Sequence, residues 1–550
     1  MMNKNQAEQK WLYGILIALA VMVYITGLFP ATTVDSAKYA TVSREIFHSG
    51  NWIHLKICGH PYLQKPPLLF WLGAIFFHLF GVSIVAFKIP TLLFTLLGIY
   101  SVYRFGKLIY DEKTGRIAAA IYGISEAMFL YNMDVHTDAL LTANIIFGTW
   151  QIAEYLDKRK LVNYILGFIG IGLAMISKGF IGLVVPVIAI GGYLLMKKDF
   201  RTLFSPKWIG GILILALILF PVLKGLYDQF GIEGIKFYFW SNNIDRIRGE
   251  YSHFKHDYFF SLHTMAYIFL PWSLYTFSAF VNDARQWAQH HFKLKNPKVV
   301  YNYSVIVVLL LVVSISSQQS PHYLLPAIPF IAMVTARFIN EISTTNQKIK
   351  TQKLLFIFRN LIVFLTWPVI FVTAFYFFPV HQPIIWATLL LLLVFQIFSL
   401  FQLKTRLQKL LVPLMISIIS LTFVSNTVYM PSALKYHGPI QASLLYDKLA
   451  QPQTPLYTYD YGLYETCFYP KTASKMVESK EELIHLLNSQ TPFWLITTQK
   501  GYETILQQNN HEITQKYIFP YKKLTNLSLR FMNPKTRNST LKKIYLLKIK

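Results

Sequence analysis

The stretch WLYGILIALAVMVYITGLF, residues 11–29, decides the fold of this 550-residue chain, because it contains no Asp, Glu, Lys or Arg. A helix needs about 17–25 mostly apolar residues to cross the hydrocarbon core of a bilayer. The stretch is therefore long enough to span a membrane. Since no small-residue cleavage site follows it cleanly, we interpret it as a retained anchor and not as a signal peptide.

Further apolar stretches follow the first one and together predict an α-helical polytopic membrane protein with about thirteen transmembrane helices. The composition agrees, because 54% of the residues are hydrophobic and only 14% are charged. That is more apolar surface than a soluble core of this size needs. The predicted spans are residues 11–29, 83–103, 117–131, 139–155, 163–177, 180–196, 208–223, 262–281, 302–316, 323–338, 361–378, 384–402 and 410–430.

Basic residues predict the orientation, because short loops rich in Lys and Arg stay in the cytoplasm. Alternate loops are rich in these residues, whereas the short loops near 132–138, 317–322 and 379–383 contain neither. We expect a cytoplasmic N-terminus, external loops at 30–82 and 224–260, and an external C-terminus. The basic loops contain Arg104, Lys107, Lys113, Arg116, Lys158, Arg159, Lys160, Lys197, Lys198, Arg201, Lys348, Lys350, Lys353, Lys404, Arg406 and Lys409.

The apolar run PLLFWLGAIFFHLFG, residues 67–81, is too short to span a bilayer. Treating it as a span would invert every later loop and break the charge pattern. We therefore predict a helix that lies in the external interface. A second interfacial helix is expected from TTVDSAKYATVSREIFHSGNW, residues 32–52, where apolar residues recur at helical spacing.

After residue 430 the chain becomes polar, so we divide it into a transmembrane domain, 1–430, and an external domain, 431–550. Strand-like and helix-like segments alternate in the second domain and predict a small α/β fold. Its sixteen Lys and Arg against eight Asp and Glu indicate either an anionic neighbour such as lipid headgroups or a solvated face. The predicted segments are PLYTYDY (455–461), SKEELIHLLNS (479–489), FWLITT (493–498) and KGYETILQQ (500–508).

The two cysteines, Cys58 and Cys467, both lie in regions predicted to be external. An oxidising exterior would permit a disulfide between the first loop and the C-terminal domain. Their distance in sequence does not indicate proximity in space, however, and we expect two unrelated thiols.

Several classes of function are excluded by the sequence. It contains no CxxC, HExxH, Walker loop or GxGxxG motif, so soluble nucleotide, haem and zinc-finger chemistry have no basis here. Its net charge of +26 is distributed over loops that flank membrane spans, so nucleic acid is not an expected partner.

Charged residues close to membrane spans are costly, so they are candidates for function. Asp35 follows the first span, although it could also serve as a cap for the next helix. Lys65, in CGHPYLQKPPLLFW, residues 58–71, precedes two prolines, which favour an extended backbone and present its ammonium at the membrane edge. The alternative for Lys65 is a lysine that extends toward headgroups.

Two further stretches on the predicted external side contain charges. In NMDVHTDALLTA, Asp134 and Asp138 are four residues apart beside His136, and their repulsion indicates a cationic or metal partner. A plain helix cap at Asp138 is the alternative. Lys178, in MISKGFIGLVVP, is a lone charge between apolar helices, and the second long loop adds Arg246, Arg248, His253 and His256.

This inventory of carboxylates and cations suits a reaction in which a membrane-anchored phosphate leaves. The motifs around these residues, with FLPWS (269–273) and SPHYLLPAIPF (320–330), also resemble a known family in their order and spacing. The chain is similar to the GT-C membrane glycosyltransferases, in the branch that includes protein O-mannosyltransferases and lipid A aminoarabinose transferases. The resemblance covers roughly residues 11–340, and the thirteen spans with a C-terminal periplasmic domain are similar to the aminoarabinose transferases.

The resemblance implies a GT-C fold and inverting transfer of a sugar from polyprenyl phosphate to an acceptor, in the bacterial inner membrane. By position, Asp35 and Asp138 match the family's acidic residues and Lys65 its phosphate-binding lysine, with Lys178 or Arg246 as helpers. The substrate cavity would include Lys38, Tyr39, Tyr62, Asp134, His256 and Tyr323.

Two departures from the family pattern affect these expectations. Gln64 stands where many relatives have an acidic residue that in some helps to bind a divalent metal, so metal dependence stays open. Lys38 stands where many have Arg, so a cation is kept but the bidentate fork is lost.

The sequence also leaves the acceptor open. We expect a lipid such as lipid A, with a protein acceptor as the alternative. A transporter of lipid-linked sugars is a further alternative, although we see no internal repeats with broken helices. A non-catalytic scaffold would need no ordered set of Asp and Lys.

Overall fold

The computed structural model describes residues 4–245, 256–291, 294–345, 349–451, 454–462, 464–489, 491–508, 511–524 and 528–550. Helices form most of the first 450 residues. The first eleven are α1 (Lys4–Thr26), α2 (Val34–Ser49), α3 (Leu68–Phe80), α4 (Ile84–Ile109), α5 (Glu112–Gly123), α6 (Glu126–Met133), α7 (Thr137–Lys158), α8 (Leu161–Lys178), α9 (Ile181–Met196), α10 (Phe200–Leu203) and α11 (Trp208–Lys236).

The second half of the bundle follows the segment whose structure is not described. Its helices are α12 (Phe260–Ile268), α13 (Ser273–Gln289), α14 (Val300–Ile315), α15 (Ile328–Thr344), α16 (Ile349–Phe371), α17 (Pro383–Phe401) and α18 (Arg406–Val424). Wider helical turns extend α11 to Asp245 and α16 to Phe377, and they join α18 to the short helix α19 (Met430–Leu434).

Within the described residues, eight helical stretches are long and apolar enough to cross a membrane. The chain is thus a polytopic membrane protein, while the number thirteen stays a prediction. The eight stretches are Ile84–Ile109, Leu161–Lys178, Phe200–Ser241, Pro297–Ile315, Pro321–Thr344, Ile349–Phe377, Pro383–Phe401 and Arg406–Leu434.

Two of the predicted spans are not continuous helices. The predicted span 117–131 is interrupted between α5 and α6, and the predicted span 262–281 is interrupted between α12 and α13. The two breaks lie against each other: the Glu126 amide donates to the Leu270 carbonyl at 3.1 Å, and the Trp272 indole donates to the Ile124 carbonyl at 2.9 Å. Non-helical backbone is tolerated at membrane depth where protein groups satisfy it, and these contacts do so.

The loop between α1 and α4 contains α2, α3 and a short hairpin of β1 (Lys56–Ile57) and β2 (His60–Pro61). α3 has 13 residues and is therefore about 20 Å long, too short to span a bilayer. α2 and α3 approach closely, because a Cβ built on Gly73 would lie 2.4 Å from the Ser43 hydroxyl.

The C-terminal region forms a five-stranded sheet in the order β4-β3-β5-β7-β6. β3 pairs in parallel with β4 and β5, whereas β7 pairs antiparallel with β5 and β6. The four predicted segments of this region are confirmed, while β4, β6 and β7 were not predicted. The elements are α20 (Gly438–Leu449), β3 (Leu456–Tyr459), α21 (Glu465–Phe468), β4 (Lys475–Val477), α22 (Lys480–Leu487), β5 (Phe493–Thr498), α23 (Gln499–Leu506), β6 (Ile513–Tyr521), α24 (Leu529–Met532), α25 (Pro534–Arg537) and β7 (Lys542–Ile549).

The expectation of two unrelated thiols is wrong. Cys58 and Cys467 form a disulfide, with Cα atoms 6.0 Å apart across a sequence separation of 409 residues. Folding brings them together because α21 of the C-terminal domain packs against α2 of the first loop. The Arg44 guanidinium of α2 donates to the carbonyls of Cys467, Phe468 and Pro470.

Candidate active site

The first turn of α2 holds Asp35 and Lys38 together. The Lys38 ammonium lies 2.7 Å from the Asp35 carboxylate and donates to the Gln64 amide oxygen at 3.3 Å. Thr33, and not Asp35, is the N-cap residue of this helix. Asp35 therefore pairs with a cation and does not cap, and Lys38 bridges α2 to the segment before α3.

A second ion pair joins the start of α7 to the end of α8. The Lys178 ammonium lies 2.5 Å from the Asp138 carboxylate and 4.6 Å from the centre of the Tyr323 ring. Both charged side chains are largely buried, with 3% of Asp138 and 11% of Lys178 exposed. Lys178 is thus a cationic partner for Asp138, whereas the Asp134 carboxylate lies beside His136.

His136 lies at the centre of an aromatic cluster that connects these groups. The centre of its ring lies 6.2 Å from that of the Tyr39 ring and 5.3 Å from that of the His322 ring. Its Nε2 lies 3.4 Å from an oxygen of the Asp134 carboxylate. Burial lowers the pKa of His136, but the carboxylates of Asp134 and Asp138 outweigh it and raise this pKa overall. His136 therefore adds a group that can carry positive charge.

Lys65 lies on the wall of a small cavity between the first loop and α11. Tyr62, Trp71, Gln229 and Tyr238 line the same cavity. Tyr62 also packs edge-on against Phe70, whose ring lies 5.8 Å from that of Tyr39. The cavity thus lies next to the Asp35 side of the site.

The charge environment of Asp35 connects Lys65 to the same site. Burial alone would raise the pKa of Asp35, but Lys38 and, with smaller effects, His136 and Lys65 lower it overall. Asp35 is therefore ionised at neutral pH. Its position among three cationic or protonatable groups matches the inventory expected from the sequence.

Two further site residues were predicted in the second long loop, and they stay predictions. His256 donates to the Ile315 carbonyl at the end of α14 and packs on Tyr258. Arg246 lies outside the described residues. Among the residues that are described, no group of three His, Cys, Asp or Glu side chains could hold a metal ion.

The structure adds residues that sequence reasoning did not select. His322 lies in the motif SPHYLLPAIPF, so this motif could have indicated it as a candidate site residue. Lys88 is fully buried in α4 and donates to the carbonyls of Gly27 and Pro30. It thereby gives hydrogen-bond partners to backbone carbonyls that follow α1, just before the helix that carries Asp35. Nothing in the local sequence indicates this role.

Parts of this chain are similar to a known family and to known proteins. Residues 64–224 match the family described as dolichyl-phosphate-mannose-protein mannosyltransferase. An undecaprenyl phosphate-alpha-4-amino-4-deoxy-L-arabinose arabinosyl transferase of Proteus mirabilis is 25% identical over 338 residues, 58% of this chain and 59% of the relative. Its counterpart in Wigglesworthia glossinidia brevipalpis is 25% identical over 359 residues, 63% and 62% of the two chains. The matched region thus covers about three-fifths of these relatives' length.

Solved structures extend the likeness to nearly the whole chain. ArnT from Cupriavidus metallidurans in the apo state superposes with a TM-score of 0.74 at 15% identity over 98% of both chains. The same protein bound to undecaprenyl phosphate superposes with a TM-score of 0.75 at 14% identity over 97% of both chains. At this identity the likeness concerns the fold, which is mostly helical with a small C-terminal sheet domain. The resemblance expected from the sequence is therefore confirmed: the chain is similar in sequence to the mannosyltransferase family and to the arabinosyl transferases named above, and it has the fold of ArnT.

Proposed function

We propose that this protein is an inverting glycosyltransferase that moves a sugar from a polyprenyl phosphate donor to a lipid acceptor such as lipid A. The observation that carries the proposal is the convergence of Asp35, Lys65 and the Asp138–Lys178 pair at one end of the bundle, beside a cavity. The relatives named above act on an undecaprenyl phosphate-linked aminoarabinose by their names, which supports this donor class.

In the proposed mechanism the bond between the anomeric carbon and the phosphate oxygen breaks while an acceptor oxygen attacks the opposite face. The leaving group is a phosphate monoester, whose second pKa is about 6, so it needs charge stabilisation more than a proton. Lys65 supplies that charge at the cavity wall. Lys178 and His136 contribute positive potential from the other side of the site.

Asp35 receives or orients the acceptor. A carboxylate whose pKa is lowered by Lys38 is a weak base for an alcohol proton, because base strength falls with pKa. Through the Lys38 ammonium that it holds, Asp35 can orient an acceptor oxygen that is already ionised, such as a phosphate carried by a glycolipid, because the carboxylate alone would repel that oxygen. This favours a phosphorylated lipid over the hydroxyl of a protein side chain.

The donor set does not suit a divalent metal. Gln64 offers an amide oxygen where the resemblance implies a carboxylate in many relatives, and the Lys38 ammonium already lies between Gln64 and Asp35. A second cation there would be repelled by that ammonium. The proposed mechanism therefore has no step that depends on a metal.

The proposal also includes an orientation of the chain in the membrane. The positive-inside pattern of the loops places the N-terminus in the cytoplasm and the first loop outside. The Cys58–Cys467 disulfide supports an oxidising exterior for this loop and for the C-terminal domain. In a bacterial inner membrane this exterior is the periplasm, where the donor headgroup and the acceptor meet.

Purified protein in phospholipid nanodiscs, given radiolabelled polyprenyl-phosphate aminoarabinose and lipid A, tests the proposal. We expect transfer by the wild type and a loss of about 100-fold or more in Lys65→Ala and Asp35→Ala, as is typical when a group that stabilises developing charge is removed. Lys56→Ala, which removes an exposed lysine of the same loop, is the matched control and should keep its activity.

Near-normal transfer in both site variants would contradict the mechanism. Transfer to a peptide but not to lipid A would assign a protein acceptor. Movement of donor across the membrane without any glycosidic product would assign a transporter.

A further inference from the structure

The backbone that leads into Asp35 is held by the C-terminal domain. Val34 has a φ of 51°, which is unfavourable for a β-branched residue. Such conformations persist where the surroundings hold them in place. Val34 is the first residue of α2, so its conformation sets the direction in which the neighbouring Asp35 leaves the helix.

Glu465 of α21 makes the contact that holds Val34. Its carboxylate accepts the Val34 amide hydrogen at 2.7 Å, and it is fully buried. The first amides of a helix have no partner within the helix, and the N-cap residue Thr33 makes no side-chain cap bond. A carboxylate from another domain therefore caps the helix that carries Asp35.

Other contacts from the same segment fix the surrounding chain. The Tyr469 hydroxyl accepts from the Thr32 amide and donates to the Thr32 carbonyl, both at 2.7 Å. About two turns after Val34 along α2, the Thr41 hydroxyl donates to the Tyr464 carbonyl at 3.3 Å. Residues 32, 34 and 41 are thus all tied to one short segment, and the disulfide at Cys467 anchors that segment to the loop.

We propose that Glu465 is a positioning residue: through Val34 it aims the Asp35 carboxylate into the site, so that the C-terminal domain is required for the chemistry. The role of Asp35 in this inference rests on the function proposed above. The contact between Glu465 and the backbone of Val34 does not. Glu465 acts through the backbone and not on the substrate, so its loss should lower kcat and leave the KM for the donor nearly unchanged.

Three variants test the proposal. Glu465→Leu removes the acceptor, Glu465→Gln keeps an amide oxygen at the same place, and Tyr446→Phe removes a hydrogen bond to the Thr454 carbonyl elsewhere in the C-terminal domain. We expect kcat to fall at least about tenfold in Glu465→Leu, because small misplacements of a reacting group cost that much or more. Glu465→Gln should keep most of the wild-type kcat, and Tyr446→Phe should behave like the wild type.

Hydrogen–deuterium exchange of the peptide covering residues 31–40 is a readout that does not depend on activity. We expect faster exchange in Glu465→Leu, with exchange near the wild-type rate in Glu465→Gln and Tyr446→Phe. Should Glu465→Leu fail to fold, Tyr469→Phe loosens the same segment through Thr32 and should shift exchange in the same direction.

The outcomes separate this inference from the proposed function. Wild-type exchange and wild-type kcat in Glu465→Leu would overturn the positioning role. Equal losses in Glu465→Leu and Glu465→Gln would also overturn it, because they would mean that charge and not the backbone contact matters. If the wild type transfers no sugar, the proposed function fails, while the exchange experiment still decides whether Glu465 holds the start of α2.

Discussion

The charged side chains of the site are stabilised by one another more than by solvent. Asp138 and Lys178 are both nearly buried, and their pairing compensates for the cost of removing each charge from water. The same arrangement leaves the pair beside the Tyr323 ring, in a position to respond to an arriving phosphate. In the proposed mechanism, the pair that stabilises the fold is therefore also the pair that faces the substrate.

Removing one member of this pair should destabilise the protein strongly. We expect Lys178→Met to lower the free energy of unfolding by about 3–5 kcal/mol, because it leaves a buried carboxylate without a partner. The double variant Asp138→Asn with Lys178→Met should lose less. Denaturant titration in detergent measures both, with Lys224→Met as control. Lys224 forms an exposed pair with Asp228, so its removal should cost about 1 kcal/mol or less. Equal losses in Lys178→Met and Lys224→Met would contradict this prediction.

A buried pair in the C-terminal domain should give a pH dependence of stability. Burial lowers the pKa of His437 from 6.5 to about 4, so the stability it contributes at pH 7 is lost as the pH falls from 6.5 toward 4. Burial raises the pKa of the neighbouring Glu465, so its contribution is present at low pH and is lost as the pH rises. The two groups lie 3.5 Å apart. Their contributions to stability change with pH in opposite directions.

Melting temperatures at pH 7 and pH 5 separate the two contributions. We expect acidification to destabilise His437→Gln less than the wild type, and Glu465→Gln more than the wild type. Identical shifts in all three proteins would show that neither group titrates differently on unfolding. Tyr521, whose ring packs on His437, is unchanged in both variants.

Broken helices show how neighbouring elements complete each other inside the membrane. Trp272, at the break between α12 and α13, satisfies the Ile124 carbonyl at the break between α5 and α6. Pro271 contributes to the second break because proline has no amide hydrogen to donate. Neither break is favourable alone, since lipid offers no hydrogen-bond partner.

Trp272→Phe should therefore destabilise the protein by more than the loss of ring size alone. We expect about 1–3 kcal/mol for the carbonyl left without its partner. Trp367→Phe is the control, because the indole nitrogen of Trp367 has no hydrogen-bond partner among the described residues. Thermal unfolding of both variants in the same detergent measures the difference. A Trp367 variant as unstable as the Trp272 variant would refute the interpretation.

At the scale of the whole molecule, the Cys58–Cys467 disulfide joins the first loop to the C-terminal domain. Because the chain contains two cysteines, a protein with this disulfide should react with a maleimide only after denaturation with reductant. We expect Cys58→Ala with Cys467→Ala to make the C-terminal domain more sensitive to limited proteolysis. The loss of a native disulfide typically costs about 2–5 kcal/mol. Maleimide labelling of the denatured protein without reductant would contradict the pairing.

Much of the architecture could be predicted from local sequence. The apolar stretches, the two helices of the first loop and the four C-terminal segments were predicted, because each depends on residues within about 20 positions of one another. The strands β6 and β7 were missed, since their basic and apolar residues do not alternate cleanly. The site residues Asp35, Lys65, Asp138 and Lys178 were selected because charge near a span is costly wherever it lies.

By itself the sequence determined that this is a membrane protein of many helices with costly charges near one set of loops, because the bilayer acts on each segment separately. Only the tertiary structure decided which charges meet: Lys178 with Asp138 across 40 positions, Glu465 with the Val34 amide across 431, and Cys58 with Cys467 across 409. The physical reason is that ion pairs, hydrogen bonds and disulfides act over a few ångströms, and those distances arise only when the folded chain brings remote segments together.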